Sequence, residues 1–263
     1  MNEIILTAVL VFSLFFGDYL WAKEQQKTPQ ADAKMSAKVE TKNLSLLKAD
    51  ILDKKTELHL FRFTRDDSHI PATPADQKKV TRSFKSLEGA PVATEEVYYS
   101  SDKLQKIIFQ QHQLREEGSL EIKEGKIYFQ YTKEGKTKKD DEKFDPDLTA
   151  VDQIHPKLNK HWKELMDGKT ISIRLPVLDR LETVGFKFFK EPDTILRKKE
   201  VVVIKMKPSS FVIAALVDPL LFYFDKTPSA NGEHKLLEVV GRTVPKVKEG
   251  TKWKNLDAIL RFE

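Results

Sequence analysis

The residues that could do chemistry are few and scattered along the chain. Six histidines (His59, His69, His112, His155, His161 and His234) contain one near pair, His155 and His161, whose separation of six residues does not bring them together on one face of a helix. The chain has no cysteine, and without three close ligands no metal site is expected. Ser209 and Ser210 follow Pro208, but a serine nucleophile needs a positioned base and oxyanion donors, and no Gly-x-Ser-x-Gly elbow is present. A helix-capping role fits them better, with either Ser209 or Ser210 as the cap. Asp179, Glu182 and Asp218 are the carboxylates that could converge for acid/base hydrolysis. Structural roles compete for the same residues: Arg180 can pair with Glu182 or Asp218, and Asp218-Pro219 suits a turn. There is no glycine-rich nucleotide loop, and no cofactor is expected.

Two further groups concern binding. Lys246, Lys248, Lys252 and Lys254 surround Trp253, a pattern that suits contact with anionic lipid headgroups or with phosphates, the aromatic lying at the interface. A solvated lysine loop is the simpler account. Phe186, Phe188, Phe211, Phe222 and Phe224, with Phe189 and Tyr223 beside them, concentrate large rings around one stretch. They could line a pocket for an acyl chain if the fold leaves a space there. A tightly packed core is the competing and more economical reading.

The elements that must position these residues are mostly strands, organised around Val201 to Phe224. Leu58 to Phe63, Val92 to Tyr99, Lys103 to Gln110, the stretches around Leu120 and Ile127 to Tyr131, Thr170 to Leu175, Leu181 to Phe189, Val201 to Met206, Leu220 to Phe224, His234 to Gly241 and Leu256 to Phe262 have strand patterns,. Period-two alternation with one charged face predicts antiparallel strands covered on one side, and Ser100 to Asp102 is short enough to make a hairpin. Gly185 marks a bulge or a close backbone approach. Pro176 is expected to interrupt its strand, and Lys190 to Glu200 to connect two others. Residues 44–55 read as a short turn or helix, Thr64 to Lys79 as a long loop, Glu134 to Lys143 as a charge-dense turn or projecting hairpin end, and Lys246 to Lys254 as a flexible basic loop. Helical spacing predicts one helix from Pro156 to Leu165, carrying Trp162, capped by Asp152 and ended by Asp167-Gly168. Its task would be to cover the apolar face of the sheet.

At 263 residues with 32% charged and 40% apolar residues, the composition is that of a soluble globular protein. Residues 4–16 are uncharged and apolar, the length of an export signal's hydrophobic region and short for a bilayer span. Residues 1–22 are therefore expected to be a signal peptide or N-terminal anchor, 23–43 a flexible polar spacer, and 44–263 a single curved antiparallel sheet domain. Removing residues 1–22 takes away Glu3 and Asp18 and no basic residue, so the net charge of +5 becomes +7. That bias favours anionic surfaces in general.

Several short motifs carry a resemblance. Ile154-His155-Pro156 precedes Trp162; Ile173-Arg174-Leu175 and Arg180-Leu181-Glu182-Thr183-Val184-Gly185-Phe186 follow it; Pro208-Ser209-Ser210 leads to Val217-Asp218-Pro219; and Val240-Gly241-Arg242 precedes Leu256-Asp257-Ala258. From about Thr56 onward the chain resembles an uncharacterised family of exported bacterial proteins related to domain-of-unknown-function group 3108. The resemblance implies an open antiparallel sheet curved around helices, similar to the half-barrel of periplasmic lipoprotein carriers. It implies no activity, and the chain lacks the lipobox cysteine of a lipoprotein.

Together these readings predict a mainly β protein with a few helices, its curved open sheet forming a half-barrel. The expected function is that of a non-enzymatic periplasmic or envelope protein, a scaffold, assembly factor or binder of lipid or another apolar ligand. Its partners would be a lipid, another envelope component or a protein, and not nucleic acid. The alternative is a hydrolase acting on an envelope polymer.

Overall fold

The computed structural model describes residues 47–67, 77–215 and 217–263. Eight strands come first: β1 (Leu47–Asp53), β2 (His59–Asp66), β3 (Gln77–Ser86), β4 (Pro91–Ser100), β5 (Lys103–Gln111), β6 (Glu116–Lys123), β7 (Lys126–Lys133) and β8 (Lys136–Lys143). Two short helices follow, α1 (Ile154–Lys160) and α2 (Trp162–Met166). The chain then forms β9 (Ile171–Val177), β10 (Glu182–Leu196), β11 (Lys199–Pro208), the single-turn α3 (Phe211–Ala214), β12 (Leu220–Asp225), β13 (Leu236–Glu249) and β14 (Lys252–Phe262). These make one 14-stranded sheet, running from β8 back to β1, then across to β14 and back to β9. Every neighbouring pair except β1 and β14 is consecutive in sequence, and all pairs are antiparallel.

Local chemistry explains the meander. The pairs Ser101-Asp102, Glu124-Gly125, Glu134-Gly135 and Arg197-Lys198 all have positive φ, the geometry of two-residue turns whose twist matches the flanking strands. Alternation then fixes which face is inward: Ile127, Phe129 and Tyr131 of β7 are buried, while Tyr128 is exposed. Register shifts at Ile51/Leu52, Tyr98/Tyr99 and Thr243/Lys246 mark bulges, which bend a sheet. The curved sheet is tied across its interior. The Gln113 amide donates to the Lys246 carbonyl at 3.0 Å and its oxygen accepts from the Lys246 N–H at 2.8 Å. Gln111 Nε2 donates to the Val244 carbonyl at 3.2 Å. The chain leaving β8 runs alongside β9, where the Thr149 N–H donates to the Arg174 carbonyl at 2.8 Å and the Arg174 N–H to that of Asp147 at 3.0 Å.

The helices cover β9 to β12. Ile154, Leu158 and Leu165 pack with Leu175, Phe186, Phe188, Ile204 and Phe224. Trp162 meets Phe224 edge-on at 5.1 Å and stacks on His234 at 3.9 Å. Two more apolar clusters fill the other half, around Phe63 and Phe84 and around Val97 and Phe129.

The mainly β architecture matches the expectation, while several local elements differ. Residues 47–53, read as a turn or helix, form β1, whose outward positions are polar enough to disguise an alternating strand. Of the loop expected from Thr64 to Lys79, β2 takes residues up to Asp66 and β3 begins at Gln77; residues 68–76 lie outside the described residues. Glu134 to Lys143 is mostly strand β8, almost wholly exposed because it is the last strand. Pro176 does not interrupt β9, which tolerates it as an edge strand,. Most of Lys190 to Glu200 extends β10 and β11 into a long hairpin. Lys246 to Lys254 is likewise a hairpin, joining β13 and β14. The helix from Pro156 to Leu165 is broken at His161, which has φ −102° and ψ 19°. The signal and spacer expected in residues 1–43 lie outside the described residues.

Candidate functional site

An apolar, half-open cavity of about 120 Å³ lies inside the curve. Its wall is built by alternation on facing strands. Phe63 and Arg65 project from β2, Arg82 and Phe84 from β3, Leu220 and Phe222 from β12, and Leu260 and Phe262 from β14. Cross-strand register makes a row of Leu47, Arg65, Arg82 and Glu95, each opposite the next. Two arginines are thus direct neighbours on the cavity wall, where like charges oppose one another.

Each arginine has a carboxylate nearby. Arg82, 7% exposed, donates from Nη1 to Glu95 Oε1 at 2.7 Å and lies 5.7 Å from the ring centres of both Phe63 and Phe84, close enough for cation–π attraction. Arg65 Nη2 is 3.0 Å from Asp67 Oδ1 and 4.0 Å from Asp152 Oδ2. The Asp67 contact is an ion pair without hydrogen-bond geometry, and the buried Arg65 Nε has no hydrogen-bond partner among the described residues. Asp152 is held by Tyr99 Oη at 2.7 Å and Gln153 Nε2 at 2.9 Å. Burial, followed by the Asp152 charge, raises the Tyr99 phenol well above its ordinary value, so it stays a donor. His155, also on the wall, lies 3.2 Å from the His234 carbonyl through Nε2. Burial lowers its pKa, keeping the ring neutral. The third arginine, Arg242, gives its Nε to Asp257 at 2.7 Å. A hollow of about 370 Å³ between Tyr99, Leu148 and Lys157 is more polar and open.

No protein-family model and no curated protein matches the chain. A solved structure, the crystal structure of a beta-barrel-like protein of domain of unknown function DUF1849 from Brucella abortus, superposes with a TM-score of 0.39 at 10% identity, covering 83% of this chain and 96% of that one. A likeness that distant carries no inference about this chain. The motifs that resemble group 3108 therefore stand without a matching family, and the barrel-like curvature is seen in the sheet itself.

A second buried polar group lies where the turn between β5 and β6 meets β13. Glu116 is 1% exposed and accepts from Tyr131 Oη at 2.5 Å. Its Oε1 and that of Gln111, its cross-strand partner, are both buried without a hydrogen-bond partner among the described residues. Burial pushes the Glu116 carboxyl up to about 7, with a smaller contribution from the Asp179 charge, and burial pushes the half-buried Asp179 carboxyl up to about 6. Burial lowers the Lys246 ammonium to about 8; this group also bonds Asn255.

The residues singled out in the sequence fall into several places. Phe222 reaches the cavity wall. Phe186, Phe188 and Phe224 are inside the core beneath α1 and α2 and do not line the cavity. Phe211 is 88% exposed on α3, because that single helical turn packs on the core through Ile213 and leaves Phe211 outside. Lys248, Lys252 and Lys254 are exposed at the tip of the β13–β14 hairpin, with Lys248 5.9 Å from the Trp253 ring. Lys246 is buried among the polar groups just described, not on that surface, since the bulge in β13 turns it inward. Asp152 makes no capping bond because its carboxylate is engaged by Tyr99. Ser210, not Ser209, caps α3. Ser209 instead lies against Gly185, where an added Cβ would come within 3.3 Å of its hydroxyl; Gly185 is a close approach in regular register, not a bulge. Arg180 pairs with Glu182 at 2.5 Å, and Asp218 is exposed elsewhere. Arg65, Arg82 and Glu116 are not among the residues that the sequence patterns single out. The available signal was an arginine interrupting period-two apolar positions, Phe63-x-Arg65 and Val80-x-Arg82-x-Phe84.

Proposed function

We propose that this protein is a non-enzymatic binder of a lipid-like ligand, working in the periplasm or cell envelope. The observation that supports binding is the half-open cavity, whose walls are apolar side chains with a few placed polar groups, the usual composition of a small-molecule site. Asp152 is the only carboxylate on that wall among the described residues, and it is already engaged by Tyr99 and Gln153. A glycan hydrolase of the paired-carboxylate kind needs two acids facing a substrate, so binding fits this site better than that hydrolysis. The apolar run at residues 4–16 supports the envelope location. A void of this size holds a ring or part of an acyl chain, with the remainder in the opening.

Isothermal titration with decanol and decanoate, below their micelle concentrations, tests the reading. At least one should bind with one-to-one stoichiometry and a negative heat-capacity change. Val239→Phe, which adds bulk at the cavity wall, should weaken that binding at least tenfold, roughly 1.4 kcal/mol, while thermal unfolding confirms that the variant folds. Binding of neither compound, or equal binding by Val239→Phe, overturns the proposal and returns attention to a scaffold role.

A further inference from the structure

We infer that the ligand carries an anionic oxygen group, a carboxylate at the end of its apolar chain, and that this group is taken up between Arg65 and Arg82. The inference rests on the binder reading above and assigns the ligand's polar end. Arg65 and Arg82 face one another on adjacent strands, and both reach the cavity. Glu95, Asp67 and Asp152 already balance the charge of the pair, but among the described residues Arg82 makes one side-chain hydrogen bond and Arg65 none, so what the two guanidinium forks lack is acceptor oxygens. Arg82 spends Nη1 on Glu95. Arg65 has two ion-pair contacts, yet its buried Nε is without a hydrogen-bond partner among the described residues. A buried N–H of that kind is costly unless an acceptor reaches it, and a carboxylate supplies two acceptor oxygens in the geometry that a guanidinium fork matches.

The cavity also has direction. The arginine pair belongs to β2 and β3, whereas Leu220 and Phe222 on β12 and Val239 on β13 form the wall across the sheet. Arg242, on the β13 side, is occupied by Asp257. Head and tail therefore have separate places, and an apolar molecule with one anionic end fits this polarity better than a neutral one. Asp152 does not fill the anion's role, because it stands 4.0 Å from Arg65 and accepts from Tyr99 and Gln153.

The test compares decanoate with decanol at pH 7.5 on the full chain. Decanoate should bind roughly tenfold to a hundredfold more tightly, the range for hydrogen bonds to a charged group. Arg65→Met should remove most of that preference, read as the ratio of decanoate to decanol affinity, with thermal unfolding confirming that the variant folds. Arg65→Lys should retain part of it, since the charge remains and the fork is lost. If Arg65→Met weakens both ligands together, the preference measured in Arg65→Lys decides: a reduced preference supports the inference and a full one overturns it. Equal affinity of the parent protein for acid and alcohol overturns the inference and leaves the binder reading standing. Binding of neither overturns the binder reading itself.

Discussion

Raising the pH from about 4.5 to about 7 should strip stability from the Glu116 region, and Glu116→Gln should return it. In the folded protein Glu116 keeps its proton up to about pH 7 because it is buried, whereas an exposed glutamate releases it near 4.5. Between those values the folded state binds more protons than the unfolded chain, so stability falls as pH rises, with the full loss present above the folded value. A shift of that size corresponds to something on the order of 3 kcal/mol. Asp179, raised from 3.8 to about 6 by burial, acts in the same direction at slightly lower pH. Lys246 acts at the other end: its ammonium is lowered from 10.5 to about 8, so the unfolded chain binds more protons there and stability recovers as pH rises through that range. These groups place a minimum between about pH 7 and 8. His155, lowered from 6.5 by burial, opposes the acid limb, because its unfolded form takes a proton that the folded ring refuses.

Comparing parent and variant isolates the Glu116 share from those other groups. Glutamine can still accept from Tyr131 and, like a protonated glutamate, can offer a hydrogen to Gln111 across the strand pair. Urea unfolding at pH 5 should therefore find Glu116→Gln and the parent within about 1 kcal/mol, and at pH 8 the variant should be more stable by on the order of 3 kcal/mol. The variant also removes a counter-charge from Lys246, shifting the alkaline limb to lower pH. Parallel curves for parent and variant would mean that Glu116 is ionised in the folded protein.

Two phenylalanine truncations should differ by several kcal/mol despite their identical chemistry. Phe188 is 1% exposed and meets Phe222 edge-on at 5.9 Å. Phe188→Ala removes a ring from the core under the helices and should cost about 3–5 kcal/mol, the range for buried aromatics. Phe211 is 88% exposed, so Phe211→Ala should stay within about 0.5 kcal/mol. Denaturant midpoints with unchanged slopes would report both effects as changes in stability alone. A loss from Phe211→Ala approaching that from Phe188→Ala would show that the Phe211 ring packs against something in solution.

These rings also show how far the sequence could be read. Alternation located most strands and the helical cover, because one face of each strand is apolar and period two survives in composition. It missed β3, where Lys78, Lys79, Thr81, Arg82 and Lys85 outnumber the apolar residues, although Val80 and Phe84 point inward. It also could not tell a ring in a packed core from one beside a void: Phe186 and Phe222 belong to similar patterns, and only the folded arrangement of β10 and β12 puts the second on the cavity. The polar residues inside were harder still. Arg82 and Glu95 neutralise one another only because β3 and β4 place them in register, and Glu116 feels the charges of Asp179 and Lys246, which lie far along the chain from it.

The charge density of β8 has a consequence beyond its lack of core residues. A last strand in a sheet this wide exposes a row of backbone donors and acceptors that another chain could extend, which is how edge-to-edge aggregation begins. Lys136, Lys138, Lys139, Asp140, Asp141 and Lys143 stand along that row, all exposed. An incoming strand would have to strip water from several of these charges to pair with β8, and a second copy would set lysine against lysine in many registers. The strand that contributes least to the interior thus carries the charges that oppose extension of the sheet at its end by another chain,.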